Sequence, residues 1–240
     1  MSLVRLAHRF ATVRALRGTT LAGTRVIDSS ILAVDAVAKD ETRPFVVVYT
    51  DDLARNQRGL DPARPVDQLT IVIEIGGTST MVNDAVWEIP PTDAGLELTI
   101  DLIERQIAVA LADEANPWAE LWRRLHTDDP RWKSLRGATT DGIRLAGRQI
   151  TIDVAPIAEP AFGRSPSGVW AEFLALLEAD PTPVPIVEAI RALFGEDAER
   201  GSADLARRWA ATVEEARALG WAEAADAPSI GAVVVEEGGA

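Results

Sequence analysis

The chain has no cysteine and, among its 240 residues, only two histidines, two methionines and one tyrosine. Without cysteine it builds no disulfide framework, no thiol nucleophile and no cysteine-ligated zinc site. His8 and His126 stand far apart in the sequence and are expected at opposite ends of the first domain, which leaves a nucleophile–base pair or a histidine-rich metal centre little to draw on. Bases are also scarce: 24 Lys and Arg face 37 Asp and Glu, a net charge of −13. A surface of that sign repels nucleic acid rather than clamping it. No apolar run approaches the roughly 18 residues of a membrane span. The basic first 18 residues lack an apolar stretch and a cleavage site, so no signal peptide is expected. Phosphate cradles of the GxxxxGK[ST] type, a GxGxxG turn, HExxH and GxSxG are all missing.

What remains is a globular composition. Apolar residues make up 47% and charged residues 25%, enough for a sizeable core in one large domain or two small ones. The charge is uneven. Residues 166–240 hold 14 acids and 5 bases, so most of the negative excess sits in the last third. That shift suggests an appended module.

Residues 2–16 place Leu3, Leu6, Phe10, Val13 and Leu16 at helical spacing, with Arg5, His8, Arg9 and Arg14 on the other side and Gly18 as a stop. On that wheel His8 is a wet-face residue. A short apolar piece follows at 25–27 and another near 31–37. Residues 44–49 form a β-branched run closed by Thr50, Asp51 and Asp52, which predicts a buried strand. Residues 51–68, with Gly59, Pro62 and Pro65, read as a long loop. Residues 68–75 alternate cleanly: Leu69, Ile71, Ile73 and Ile75 share one face, and Gly76–Gly77 is expected to end the strand. After an irregular stretch, Thr92 or Asp93 caps a helix to about Ala112 with Leu96, Ile100, Ile103, Ile107 and Leu111 inward and Glu97, Asp101, Glu104 and Arg105 toward water. Pro117 opens a short helix to Leu125 carrying Trp118 and Trp122, which are four apart and fit core or interface packing better than a stacking platform. Residues 147–155 are a third alternating strand.

Beyond residue 166 three helices are expected: one with Trp170, Phe173 and Leu177, one with Ile186, Ile190 and Phe194, and one from a Ser202 cap to Gly220. The reading is thus an α+β domain over 1–162 with a mixed or antiparallel sheet flanked by helices, a helical module over 166–224, and an apolar tail over 225–240. In that tail Ile230, Val233, Val234 and Val235 precede Glu236 and Glu237. Two readings stay open: an edge strand added to the chain's own sheet, or a strand lent to another chain.

Chemistry has few candidates. Asp51 and Asp52 at a strand end, or His126, Asp128 and Asp129, are acidic clusters of the kind that hold a divalent cation, but solvated turn residues account for both more simply. Gly76–Gly77 followed by Thr78, Ser79 and Thr80 is better explained as a turn than as a phosphate site. No catalytic, cofactor or metal-ligating set is assigned.

The order of elements resembles a known family. An N-terminal helix, the 44–52 strand, a polar loop, the alternating 68–75 strand, the 96–111 helix, a Gly/Arg-rich turn and the 148–154 strand are similar to the tail terminator (minor tail protein U-like) family of long-tailed bacteriophages and gene transfer agents. The likeness spans residues 1–162. The long 51–68 loop and the helices after 166 depart from the smallest members. The resemblance implies a non-enzymatic virion protein without cofactor, assembled in the bacterial host cytoplasm. It would form a homo-oligomeric ring, typically a hexamer, on the head-proximal end of the tail tube. Implied partners are other copies of itself, the tail tube protein and the head-completion or connector protein. Genomic DNA would pass the acidic lumen without specific binding, and no membrane is involved. A different head–tail joining or neck protein, and a metal-dependent enzyme using Asp51 and Asp52, are the alternatives. On the ring reading the expected contacts are Arg55, Arg58 and Arg64 in the long loop and Ile230, Val233, Val234 and Val235 in the tail, with the helical module facing outward.

Overall fold

A computed structural model describes residues 2–29, 44–54, 68–78, 80–82, 86–89, 92–138, 145–160, 165–181 and 184–194. In chain order the elements are α1 (Leu3–Leu16), β1 (Val26–Asp28), β2 (Phe45–Ala54), β3 (Gln68–Thr78), β4 (Thr80–Val82), β5 (Val86–Ile89), α2 (Asp93–Ala112), α3 (Pro117–Arg124), β6 (Arg131–Ala138), β7 (Leu145–Val154), α4 (Val169–Ala179) and α5 (Val184–Phe194). Five strands form one sheet in the order β1-β2-β3-β7-β6, with β4 and β5 paired separately. β1 runs parallel to β2 and every other neighbouring pair is antiparallel, so the sheet is mixed and the class is α+β.

The alternation of β3 sets the register. Leu69, Ile71, Ile73 and Ile75 lie opposite Val154, Ile152, Ile150 and Arg148 of β7, and Ile71, Ile73 and Ile75 lie opposite Thr50, Val48 and Val46 of β2. This face is dry because α1 and α2 pack on it. Ile71, Ile73, Ile75, Ile100, Ile103 and Ile107 are fully buried, and each such side chain contributes about 1.5–3 kcal/mol of burial.

α1 is the central helix. It packs on β1, β2, α2 and α3, and every residue except Arg5, Arg9 and Arg14 is buried. His8 therefore lies inside rather than on a wet face. Single-face logic fails here because Ala7, Ala11, Thr12 and Ala15 let neighbours approach the side that the arginines were expected to keep wet. Its N-terminus is held by Glu159, whose carboxylate accepts the Ser2 hydroxyl and the N–H groups of Leu3 at 2.9 Å and Val4 at 3.2 Å. These donors have no partner within a helix, and a carboxylate suits the positive end of its dipole.

Four local expectations change. β2 does not stop at Thr50: it continues to Ala54 through a bulge between Thr50 and Leu53, so Asp51 and Asp52 are exposed strand residues. β3 passes through Gly76–Gly77, which are strand positions and not a turn. The stretch before α2 holds the β4–β5 pair. Between α3 and β7, where only a Gly/Arg-rich turn is expected, residues 131–138 form the strand β6.

α2 is capped by Thr92, which accepts the Gly95 N–H, and α3 by Asn116, which accepts from Trp118 and Ala119 ahead of Pro117. α4 buries Trp170, Phe173, Leu174 and Leu177 and ties to the domain through Arg124–Glu172 and through Arg14–Asp180 at 3.3 Å. The chain divides into two compact units, residues 1–161 with 166–187, and residues 162–165 with 188–240. α4 thus belongs with the α+β unit, and the division falls within α5. The helix expected from Ser202 and the tail 225–240 lie outside the described residues. No helix among the described residues is long and apolar enough to cross a membrane.

Candidate assembly surfaces

Two surfaces of the α+β unit stand out by their exposure. The first is β6. Its eight residues pair with β7 in unbroken register from Arg131↔Asp153 to Ala138↔Ala146. β6 ends the sheet, and no described strand pairs with its outer edge. Residues 131–136 are all exposed, including Trp132 at 40% and Leu135 at 62%. The register puts Trp132, opposite Ile152, on the helix-covered face and Leu135, opposite Gln149, on the other. The strand escapes sequence reasoning because its two large apolar residues stand three apart, which breaks the two-residue period of a half-buried strand. The Asp129–Pro130 pair just before it is the signal that marks a new element.

The second surface is α2. Leu98, Leu102 and Val109 are 59%, 46% and 54% exposed, and their spacing puts them on one stripe directly opposite the buried Leu96–Ile100–Ile103–Ile107 row. Of the acids expected toward water, Asp101 is exposed and Glu97 and Glu104 are half-buried, and all three meet one arginine. Arg148 of β7 reaches Asp101 at 2.5 Å, Glu104 at 2.6 Å and Glu97 at 3.1 Å, and Arg136 of β6 reaches Glu97 at 2.5 Å. The hydrogen bond that Arg148 donates to Glu104 is the largest effect raising the Arg148 pKa. One guanidinium therefore gathers three carboxylates on one flank of α2, while the outer stripe carries Leu98, Leu102 and Val109 with the exposed Arg105 among them.

The two histidines are not apart, as their sequence positions suggested, but together. Their rings stack with centroids 5.6 Å apart, and Trp122 meets His126 edge-on at 4.7 Å. His8 Nε2 lies 3.1 Å from the Leu125 carbonyl. A carbonyl only accepts, so Nε2 carries the proton and Nδ1 is bare. Burial first, and the neighbouring His126 second, push the His8 pKa down to about 3, with the Leu125 bond opposing. Burial also lowers His126, against Asp128 and Asp129. Among the described residues no carboxylate is hydrogen-bonded to either ring, and the nearby Thr12 hydroxyl is spent on the His8 carbonyl at 2.7 Å. This neutral cluster joins α1 to the end of α3.

On the other sheet face Tyr49 donates to Glu74 at 2.9 Å, and Gln149 donates to the same carboxylate oxygen at 3.0 Å. Burial, then Glu74, raise the Tyr49 hydroxyl to about 12, so it stays a neutral donor.

Of the contact residues expected from sequence, Arg55, Arg58, Arg64, Ile230, Val233, Val234 and Val235 all lie outside the described residues. Among the described residues no group of three or more His, Asp or Glu side chains is placed to hold a metal ion. Comparison with protein-family models and with curated proteins finds no match to the chain.

Proposed function

We propose that the protein is a structural ring subunit of the tail terminator kind, which closes the head-proximal end of a phage tail tube and presents a docking surface for the head connector. The reading is supported by α1, β2, β3, α2 and β7 following in that order around one mixed sheet, to which β1 and β6 are added as the edges. The observation that carries it furthest is a pair of surfaces on one small unit, the β6 edge, on which no described strand lies, and the exposed Leu98, Leu102 and Val109. An open edge strand, and a helix that carries Leu98, Leu102 and Val109 around Arg105 on the side away from its core, are surfaces a partner can cover. A subunit in a ring needs two different adhesive surfaces, because a head-to-tail contact joins unlike patches and closes when its rotation completes a circle. Growth of the tube ends because the outer ring face lacks the tube's own adhesive surface. The net charge of −13 keeps DNA in the lumen from sticking.

Electron cryo-microscopy of particles that contain the protein tests this. A closed ring at the head–tail junction, with the chain's density in it, supports the reading. A protein absent from particles and strictly monomeric overturns it, and a ring elsewhere along the axis makes it a different joining protein.

A further inference from the structure

We infer that the outer edge of β6 takes up segment 230–235 of a second copy of this chain as an added strand. The inference rests on the ring reading only for the closing of this contact into a circle.

An edge strand presents a row of backbone N–H and C=O groups that template another strand, and sheets normally keep such edges short, covered or charged. β1, the other edge, is three residues long, whereas β6 has eight and is exposed along 131–136. Its charges, Arg131, Lys133 and Arg136, resemble a guard against unwanted pairing. Trp132 and Leu135 argue otherwise, since large exposed apolar residues on both faces of an edge invite a partner. Arg136 is engaged by Glu97, while Arg131 and Lys133 have no ion-pair partner among the described residues.

Charge selects the occupant. Pairing β6 with β6 of another copy would oppose Arg131, Lys133 and Arg136 to one another, and like charges across a ladder destabilise it. The strand that fits is apolar and acid-ended. Residues 230–235 read Ile-Gly-Ala-Val-Val-Val, with Glu236 and Glu237 directly after and Asp226 before. At about 3.4 Å per residue the six span about 20 Å, within the roughly 27 Å of β6. The backbone ladder supplies affinity, Trp132 and Leu135 cover the alternate valine side chains, and the two cationic side chains meet the acidic end. Donor and acceptor are different patches, so the contact is head-to-tail, the kind that builds rings.

The cysteine-free chain makes the test direct. Full-length Ser134→Cys is mixed with full-length Val233→Cys, Val234→Cys or Val235→Cys, oxidised, and read by non-reducing electrophoresis and peptide mass spectrometry. At least one mixture should give a covalent heterodimer joined at 134 and the tail, at tenfold or more over either variant alone. A dominant 134–134 product, no mixed product, or a double-cysteine chain that closes only on itself overturns the inference. As a second readout, Lys133→Glu should weaken self-association tenfold or more, and adding Glu236→Lys should restore it; no weakening overturns the contact. Cross-linked open chains without closed rings would sink the ring reading and leave this contact standing. A closed ring that survives deletion of residues 228–240 would do the reverse.

Discussion

The ring of Phe45 lies where a side chain at Gly76 would be: a Cβ there would come 2.2 Å from Phe45 Cζ. The two residues are cross-strand partners in β2 and β3, and Phe45 is fully buried. The glycine is therefore a strand residue chosen for its missing side chain, with the aromatic ring covering the bare backbone. Gly76→Ala should destabilise the fold by about 1–3 kcal/mol through overpacking. Phe45→Leu in the same chain should recover part of that loss, a coupling that urea unfolding of the four members of a double-mutant cycle measures directly. Additive losses would mean the ring does not occupy that space.

His8 makes a signed pH prediction. Its folded-state pKa of about 3 lies below the ordinary 6.5, so the unfolded chain binds more protons between those values. Stability from this residue is complete above pH 6.5 and is lost as pH falls toward 3, by up to roughly 3 kcal/mol at pH 4. The slope of unfolding free energy against pH between 6.5 and 4 should be shallower in His8→Gln than in the parent. The amide can still donate to the Leu125 carbonyl but does not titrate.

Arg148 holds Glu97, Asp101 and Glu104 together against β7. Arg148→Ala leaves three neighbouring carboxylates without their common cation and should cost about 1–3 kcal/mol. Arg148→Lys should recover little, because one ammonium does not span what the guanidinium fork bridges. Thermal unfolding at low and high salt checks both: the alanine variant should gain relative to the parent as salt screens the carboxylates.

The exposed α2 stripe separates folding from assembly. Leu98→Ser with Leu102→Ser should leave unfolding free energy within about 0.5 kcal/mol of the parent, as exposed positions do. Sedimentation velocity should nonetheless show weaker self-association. Equal loss of both would place the stripe in the core of the single chain instead.

The legible parts of the fold are those whose burial is one-sided. β7 and α2 each bury one face, and the spacing of Leu96, Ile100, Ile103, Ile107 and Leu111 reports it for the helix; β3 is read from the alternation of Leu69, Ile71, Ile73 and Ile75 although Thr70 and Val72 on its other face are buried too. α1 is legible as a helix but not in its burial, because enclosure on nearly all sides erases the wet face that would have placed His8. β6 is hidden for the opposite reason: with residues 131–136 all exposed, nothing imposes a hydrophobic period. The histidine pair joins residues 118 positions apart, and the Arg148 cluster joins β7 to a helix about 50 residues earlier, separations no local pattern carries. The exposed β6 is thus the part least written into periodicity, since one-sided burial is what imposes a period.

Native mass spectrometry of the purified full-length chain, across concentrations into the tens of micromolar, tests most directly whether the molecule works by head-to-tail contact with its own copies. A single closed oligomer of fixed number, with monomer as the only other abundant species, is the expected result. Monomer alone at every concentration, or a symmetric dimer that grows no further, would contradict it.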